Sequence, residues 1–185
     1  RVFRRYGRRI AVFFCEPILM NREAIVIQPA FMRMARKLTQ AVDAMLIIDE
    51  IHTGFWGPDL FMYRQYGIVP DAVIIGKGMT AGFHPLSGLI FKDRFDTLAQ
   101  YDSLNTNGMA PLPALVALHS LRLIRADRER IAEAGQYLHR RLQELPEAFP
   151  CLVRVITGDE VTEENLAKLD QAGITYGMRD GNMVI

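Results

Sequence analysis

Cysteine is nearly absent: Cys15 and Cys151 are the only two in 185 residues. They lie far apart in a chain without a signal-peptide pattern, which excludes a disulfide scaffold and fits a reduced, cytoplasmic setting. No apolar run approaches the roughly 20 residues of a transmembrane helix, so no membrane is expected. Charge of one sign is lacking too. The 22 Lys+Arg against 21 Asp+Glu leave a formal net charge of +1, so no global field argues for nucleic acid. The four histidines, His52, His84, His119 and His139, show no ligand spacing with cysteines or carboxylates beyond Asp49 and Glu50 beside His52, and no metal site is expected. An initiator methionine is also missing, and Met183-Val184-Ile185 reads as the middle of a strand. Both ends read as cut from something longer.

What is present is an apolar half of the composition, enough for one core with a small appendage. Two short runs stand out. Met45-Leu46-Ile47-Ile48 ends in Asp49-Glu50-Ile51-His52-Thr53-Gly54, and Val73-Ile74-Ile75 ends in Gly76-Lys77-Gly78. Each reads as a buried strand carrying a charged residue to its C-terminal tip, the edge where open α/β sheets bind ligands.

The remaining elements alternate around these two. Strands are expected over 10–15, 45–48, 72–75 and 86–91. Helices are expected from Pro29, with Phe31, Met34, Ala35, Leu38 and Val42 at helical spacing, over 59–66 capped by Asp59, and over 93–100. One long helical pattern runs over 112–145, with Gly135 as a kink or join. The remainder reads as strand 152–156, helix 162–172 opened by Thr162, strand 174–176, a turn at 179–182 and a strand from Met183. Strands alternating with helices imply a mainly parallel sheet with helical crossovers. The expected division is a large α/β domain over 1–122 and a connecting helix with a small C-terminal α+β unit over 123–185. The five arginines at 1, 4, 5, 8 and 9 read as the solvated face of a short helix.

An apolar strand ending in Asp-Glu also occurs in nucleotide-hydrolysing P-loop proteins. Those require G-x-x-x-x-G-K-[ST]. Gly76-Lys77 fails that pattern, because Asp71 stands at the first glycine and Gly78 at the Ser/Thr position, and it follows the acidic strand instead of preceding it. A carboxylate and a lysine at two strand tips are, however, what a pyridine-aldehyde cofactor needs: an anion that keeps the ring nitrogen protonated and an amine that forms the imine. Alternation along the strand places Asp49 and Ile51 on one face, so Ile51 can pack on the ring while His52 reaches its phenolic oxygen. Lys37, Lys92 and Lys168 fall on helical or loop surface, which leaves Lys77 as the candidate. A strand-end lysine reaching for water explains Lys77 alone but not Asp49 and the flanking glycines.

With these residues the sequence resembles the class III pyridoxal-phosphate-dependent aminotransferases of fold type I. Glu16-Pro17, Asp49-Glu50-Ile51-His52-Thr53-Gly54-Phe55, and Pro70-Asp71 leading to Gly76-Lys77-Gly78 and Gly82 carry the likeness, which runs from about residue 10 to about 145. The resemblance implies that Lys77 is the Schiff-base lysine of pyridoxal 5'-phosphate, Asp49 the partner of the ring nitrogen, Ile51 the ring-packing residue and His52 the counterpart of a residue usually Gln. It also implies that Thr106, in Asn105-Thr106-Asn107-Gly108, binds the cofactor phosphate of the neighbouring subunit, although Gly108-Met109-Ala110-Pro111 replaces the usual Gly-Gly-Asn-Pro. The family's N-terminal half, with its phosphate loop and stacking aromatic residue, has no counterpart in this sequence.

The activity implied is transfer of an amino group between a small-molecule amine or amino acid and an oxo acid or aldehyde, in a homodimer. Two other readings stand beside it. One is an aminomutase similar to glutamate-1-semialdehyde aminomutase, suggested by Glu16-Pro17-Ile18-Leu19-Met20-Asn21. The other is a truncated, non-catalytic or dimerising remnant.

Overall fold

The computed structural model describes residues 1–22, 24–103, 108 and 110–148, and the backbone of 177–179 and 182–184. Thr106, the strand expected over 152–156, the helix over 162–172 and the strand over 174–176 lie outside the described residues.

Helix α1 (Val2–Tyr6) precedes strand β1 (Val12–Cys15). A small hairpin of β2 (Ile18–Leu19) and β3 (Ile25–Val26) leads to α2 (Pro29–Ala41), then to β4 (Met45–Asp49), β5 (Ala72–Ile75) and β6 (Gly88–Phe91). The main sheet has the order β1-β4-β5-β6. The first three strands run parallel, with Val12 opposite Met45 and Asp49 opposite Ile74, while β6 is antiparallel, with Ala72 opposite Phe91. The β5–β6 connection contains one short 3-10 turn, Lys77–Thr80, and no helix. Parallel neighbours need a long crossover: α2 supplies it between β1 and β4, and the chain from Glu50 to Asp71, which holds only the 3-10 turn Met62–Tyr66, supplies it between β4 and β5. The sheet is therefore mainly parallel, as the alternating pattern implied.

Two apolar layers cover the sheet. Met32, Leu46, Ile48, Tyr66 and Ile68 form one cluster; Phe55, Val73, Ile75, Met79 and Ala117 form the other. Pro29 opens α2 as expected, its missing N–H costing nothing at a helix start. The buried stripe of α2 differs from the expected one. It is Met32, Ala35 and Thr39, while Phe31, Met34 and Leu38 are exposed. The helix carries apolar residues on two faces, and contact with Leu46 and Ile48 chooses the one centred on Met32.

Three expected helices change. Residues 59–66 form only a 3-10 turn, Met62–Tyr66. Asp59 does not cap it; its carboxylate takes Arg128 at 2.6 Å. Residues 93–100 shorten to a turn, Asp93–Phe95, because Asp96 and Thr97 favour local turn bonding over helix interior. The 112–145 pattern divides into α3 (Pro111–Ala126) and α4 (Arg128–Ala148). The break falls at Asp127, whose N–H donates to Leu123 and whose carbonyl accepts from Ile131, whereas Gly135 continues through α4.

Close packing groups Arg1–Ala132 into one compact unit and Glu133–Ile185 into a second. In the second unit the described residues form the rest of α4 and a hairpin of β7 (Gly177–Arg179) and β8 (Asn182–Val184), with Met178 opposite Met183.

Candidate active site

Alternation along β4 puts Leu46, Ile48 and Glu50 on one side of the chain and Met45, Ile47 and Asp49 on the other. The fully buried carboxylate is consequently Glu50, at 0% exposure, while Asp49 is half-buried. Glu50 is satisfied from three directions. It accepts the Thr53 hydroxyl at 2.5 Å, the Met62 N–H at 3.1 Å and the Tyr63 N–H at 2.7 Å. It thereby caps the 3-10 turn that Asp59 leaves uncapped. A buried carboxylate so engaged orders the loop between the strand tip and Tyr63. Nearby, Tyr66 donates its hydroxyl to the Pro17 carbonyl at 3.3 Å. Burial, then the Glu50 and Cys15 charges, raise its pKa.

Asp49 ends β4 on the same sheet edge. Its Oδ1 accepts the Ile51 N–H at 2.9 Å, and its other oxygen has no protein partner among the described residues. Ile51 lies against Gly76, where a Cβ would stand 3.7 Å from Ile51 Cγ1. Lys77 therefore leaves β5 next to the segment that follows Asp49. Its backbone lies at φ +39°, a left-handed conformation that costs a non-glycine residue about 1 kcal/mol. The turn holds it there: Met79 N–H donates to Gly76 O at 3.1 Å, and Met79 and Thr80 are buried beneath it.

Glycines close the arrangement. Gly54 N–H donates to Glu50 O at 2.7 Å, and a Cβ on Gly54 would sit 2.8 Å from that carbonyl. Gly78 faces the Gly54 carbonyl, which a Cβ there would approach to 3.2 Å. The acidic block and the lysine block thus touch through backbone. Beyond them, the Thr80 hydroxyl donates to the His84 carbonyl at 2.5 Å.

His52 Nδ1 lies 3.3 Å from Glu16 Oε2 at the end of β1, so the structure joins the Glu16-Pro17 block to the acidic block. Lys77 is exposed and lines an open, apolar cavity of about 640 Å³ with Phe55, Trp56, Gly82, Leu123 and Ile124. A second cavity, about 420 Å³, is lined by His52, Thr53, Trp56 and Met62 among others. Trp56 borders both and is 74% exposed. Glu50, Phe55 and Trp56 are the site-forming residues that motif reasoning did not single out. The parity of Leu46, Ile48 and Glu50 is the signal that would have marked Glu50 as the buried acid.

The opposite sheet edge carries a different cluster. The Asp71 carboxylate is buried before β5 and accepts Arg36 at 2.5 Å, Lys92 at 2.6 Å and the Leu46 N–H at 3.0 Å. Burial alone would raise its pKa. The hydrogen bonds from Arg36, Lys92 and Leu46 outweigh that and hold it down at about 2. This edge fastens α2, β4, β5 and β6 together.

The class-III aminotransferase family model matches residues 1–159. The mitochondrial ornithine aminotransferase of Oryza sativa subsp. japonica is 30% identical over 162 residues, covering 85% of this chain and 34% of that protein. The putrescine–pyruvate aminotransferase of Pseudomonas aeruginosa is 32% identical over 145 residues, covering 74% and 32%. The crystal structure of ornithine aminotransferase from Toxoplasma gondii ME49 superposes with a TM-score of 0.76 at 24% identity, covering 95% of this chain and 46% of that one, a likeness of fold. The chain spans about a third of the length of these curated relatives. With the acidic and lysine blocks seated on adjacent strand tips and the family model spanning most of its length, the chain belongs to the class-III aminotransferases.

Proposed function

We propose that this chain carries the cofactor-holding edge of a pyridoxal 5'-phosphate-dependent aminotransferase, which moves an amino group from a small amine or amino acid to an oxo acid or aldehyde. The observation that carries the reading is the delivery of Asp49 and Lys77 by neighbouring parallel strands to one sheet edge, locked through Gly54 and Gly78. The residues fit the cofactor. Lys77 offers an exposed amine at a cavity within the size range of small-molecule sites, and Asp49 retains one carboxylate oxygen without a protein partner.

When bound, pyridoxal phosphate supplies an electron-withdrawing ring that accepts the charge left when a substrate carbon loses a proton. The side chains do the rest. Lys77 would hold the cofactor through its amine and would serve as the base that moves a proton at the substrate carbon. Asp49 would keep a proton on the ring nitrogen, Ile51 would pack on the ring, and His52, steadied by Glu16, would serve the phenolic oxygen. Thr106 is assigned to the phosphate of the neighbouring subunit. A homodimer in the cytoplasm belongs to the same reading, and the exposure of Trp56 beside Lys77 supports a covering partner.

Relatives named for ornithine and for putrescine with pyruvate suggest diamines and ω-amino acids as donors. The test is an amino-transfer assay of the protein with ornithine or putrescine and a 2-oxo acid. Net transfer that Lys77→Ala abolishes supports the reading; internal exchange without net transfer would point to an aminomutase, and no reaction with any donor tried would contradict it.

A further inference from the structure

At the sheet edge opposite Lys77, cations outnumber the acid they surround. Asp71 has Arg36 at 2.5 Å, Lys92 at 2.6 Å and Arg94 at 3.6 Å. One carboxylate neutralises one of these three charges. Arg33 and Lys37 add two more, and neither makes an ion pair among the described residues. On α2 the positions 33, 36, 37 and 40 follow helical spacing, so Arg33, Arg36, Lys37 and Gln40 share one face. They line an open cavity of about 400 Å³ whose remaining wall is Gly67, Ile68, Val69 and Lys92. Four cations border this cavity and no carboxylate does. An adjoining cavity of about 360 Å³ shares Arg36, Gln40 and Lys92 and adds Arg94 together with the carboxylates Asp43 and Asp71.

Arg36 itself is incompletely used. Its side chain is 11% exposed and binds Asp71 through one terminal nitrogen, yet its buried Nε has no hydrogen-bond partner among the described residues. A buried donor left without an acceptor is costly. Uncompensated cations gathered in a concave, partly apolar site also repel one another and raise the local potential. A compact anion relieves that repulsion, and guanidinium forks pair bidentately with phosphoryl oxygens.

From this we infer a second ligand site, formed by Arg33, Arg36, Lys37 and Lys92, that binds a diphosphate group. It lies at the N-terminal end of β5, remote from the Lys77 edge, and does not depend on the amino-transfer reading. With Asp71 neutralising one of the four cations that line the cavity, three positive charges remain, which a diphosphate balances and a single carboxylate does not. The cavity's concave shape favours a small ligand over a polymer backbone.

Isothermal titration of the protein with inorganic pyrophosphate tests this. Arg33→Gln and Lys37→Gln remove exposed cations that do not touch Asp71, so folding is preserved and is checked by circular dichroism. Saturable binding with one site is expected, weakened about tenfold by each substitution and unchanged in Lys77→Ala. ADP is the second probe. Equal affinity assigns the site to free diphosphate, and tighter binding assigns it to a nucleotide resting on Ile68 and Val69. No saturable binding, binding indifferent to both glutamine variants, or binding lost in Lys77→Ala would each overturn the inference.

Discussion

The Tyr63 N–H donates to Glu50 Oε1 across 2.7 Å, joining the tip of β4 to a turn thirteen residues further along. The Met62 N–H and the Thr53 hydroxyl share the other oxygen. Glu50→Ala strands these donors in a buried place, with an expected loss of about 3 kcal/mol in urea unfolding. Glu50→Gln keeps one carbonyl acceptor and should lose roughly half as much. Equal stability of all three forms would show that the carboxylate does not order the loop.

Asp71 sets the acid limb of stability. Its carboxyl is held at about 2, below its ordinary 3.8, because hydrogen bonds from Arg36, Lys92 and Leu46 overcome the opposing effect of burial. A depressed folded-state pKa gives stability that is complete above the unfolded value and lost as pH falls through the folded one. The loss should therefore occur between about pH 4 and 2 and amount to about 2 kcal/mol. Asp71→Asn should flatten that limb and, by leaving Arg36 buried without its counter-charge, lower stability at neutral pH by about 3 kcal/mol. Unfolding curves recorded across this pH range read both effects.

Gly54 and Gly78 are expected to differ in tolerance. A Cβ at Gly54 meets the Glu50 carbonyl at 2.8 Å, whereas one at Gly78 meets the Gly54 carbonyl at 3.2 Å. Gly54→Ala has to displace backbone and should cost about 2 kcal/mol, with Gly78→Ala costing less. Because both contacts lock the lysine turn to the acidic block, cofactor affinity should fall in the same order. A reversal of that order in melting temperature would contradict the packing.

Cys15 is expected to be inert in the folded protein. Burial pushes its thiol up to about 11, and its Sγ lies 3.7 Å from Met32 Sδ. Alkylation by iodoacetamide at pH 8 should be slow when folded and fast in denaturant, as peptide mapping would report. The raised pKa also means that its stabilising effect is complete below about pH 9 and lost as pH rises toward 11. Rapid labelling of native Cys15 would contradict its burial.

The strands were legible because continuous apolar runs ended at Asp49 and Lys77 leave few alternatives. Their directions are less legible, since β4–β5 is parallel and β5–β6 antiparallel although each connection holds only a 3-10 turn. The site edge was legible for the same reason, since strand tips carry their charged residues to one place. The buried face of α2 was not, because Met32 and Met34 are equivalent in hydropathy and only the packing of Leu46 and Ile48 decides between them. The 59–66 segment is not legible as a 3-10 turn because its cap, Glu50, comes from outside the segment. Propensity suggests a break at Gly135, but Asp127 ends the first helix. The Asp71 cluster also escaped notice: Arg36, Lys92 and Arg94 are ordinary surface cations until the sheet register brings Phe91 opposite Ala72.

The central claim is that Lys77 is the lysine that takes the cofactor. The most direct measurement is to incubate the protein with pyridoxal phosphate, reduce with borohydride and map the labelled peptide by mass spectrometry. The account predicts a single phosphopyridoxyl group on Lys77, absent in Lys77→Ala. Label on Lys37 or Lys92 in place of Lys77, or none on any lysine, would contradict it.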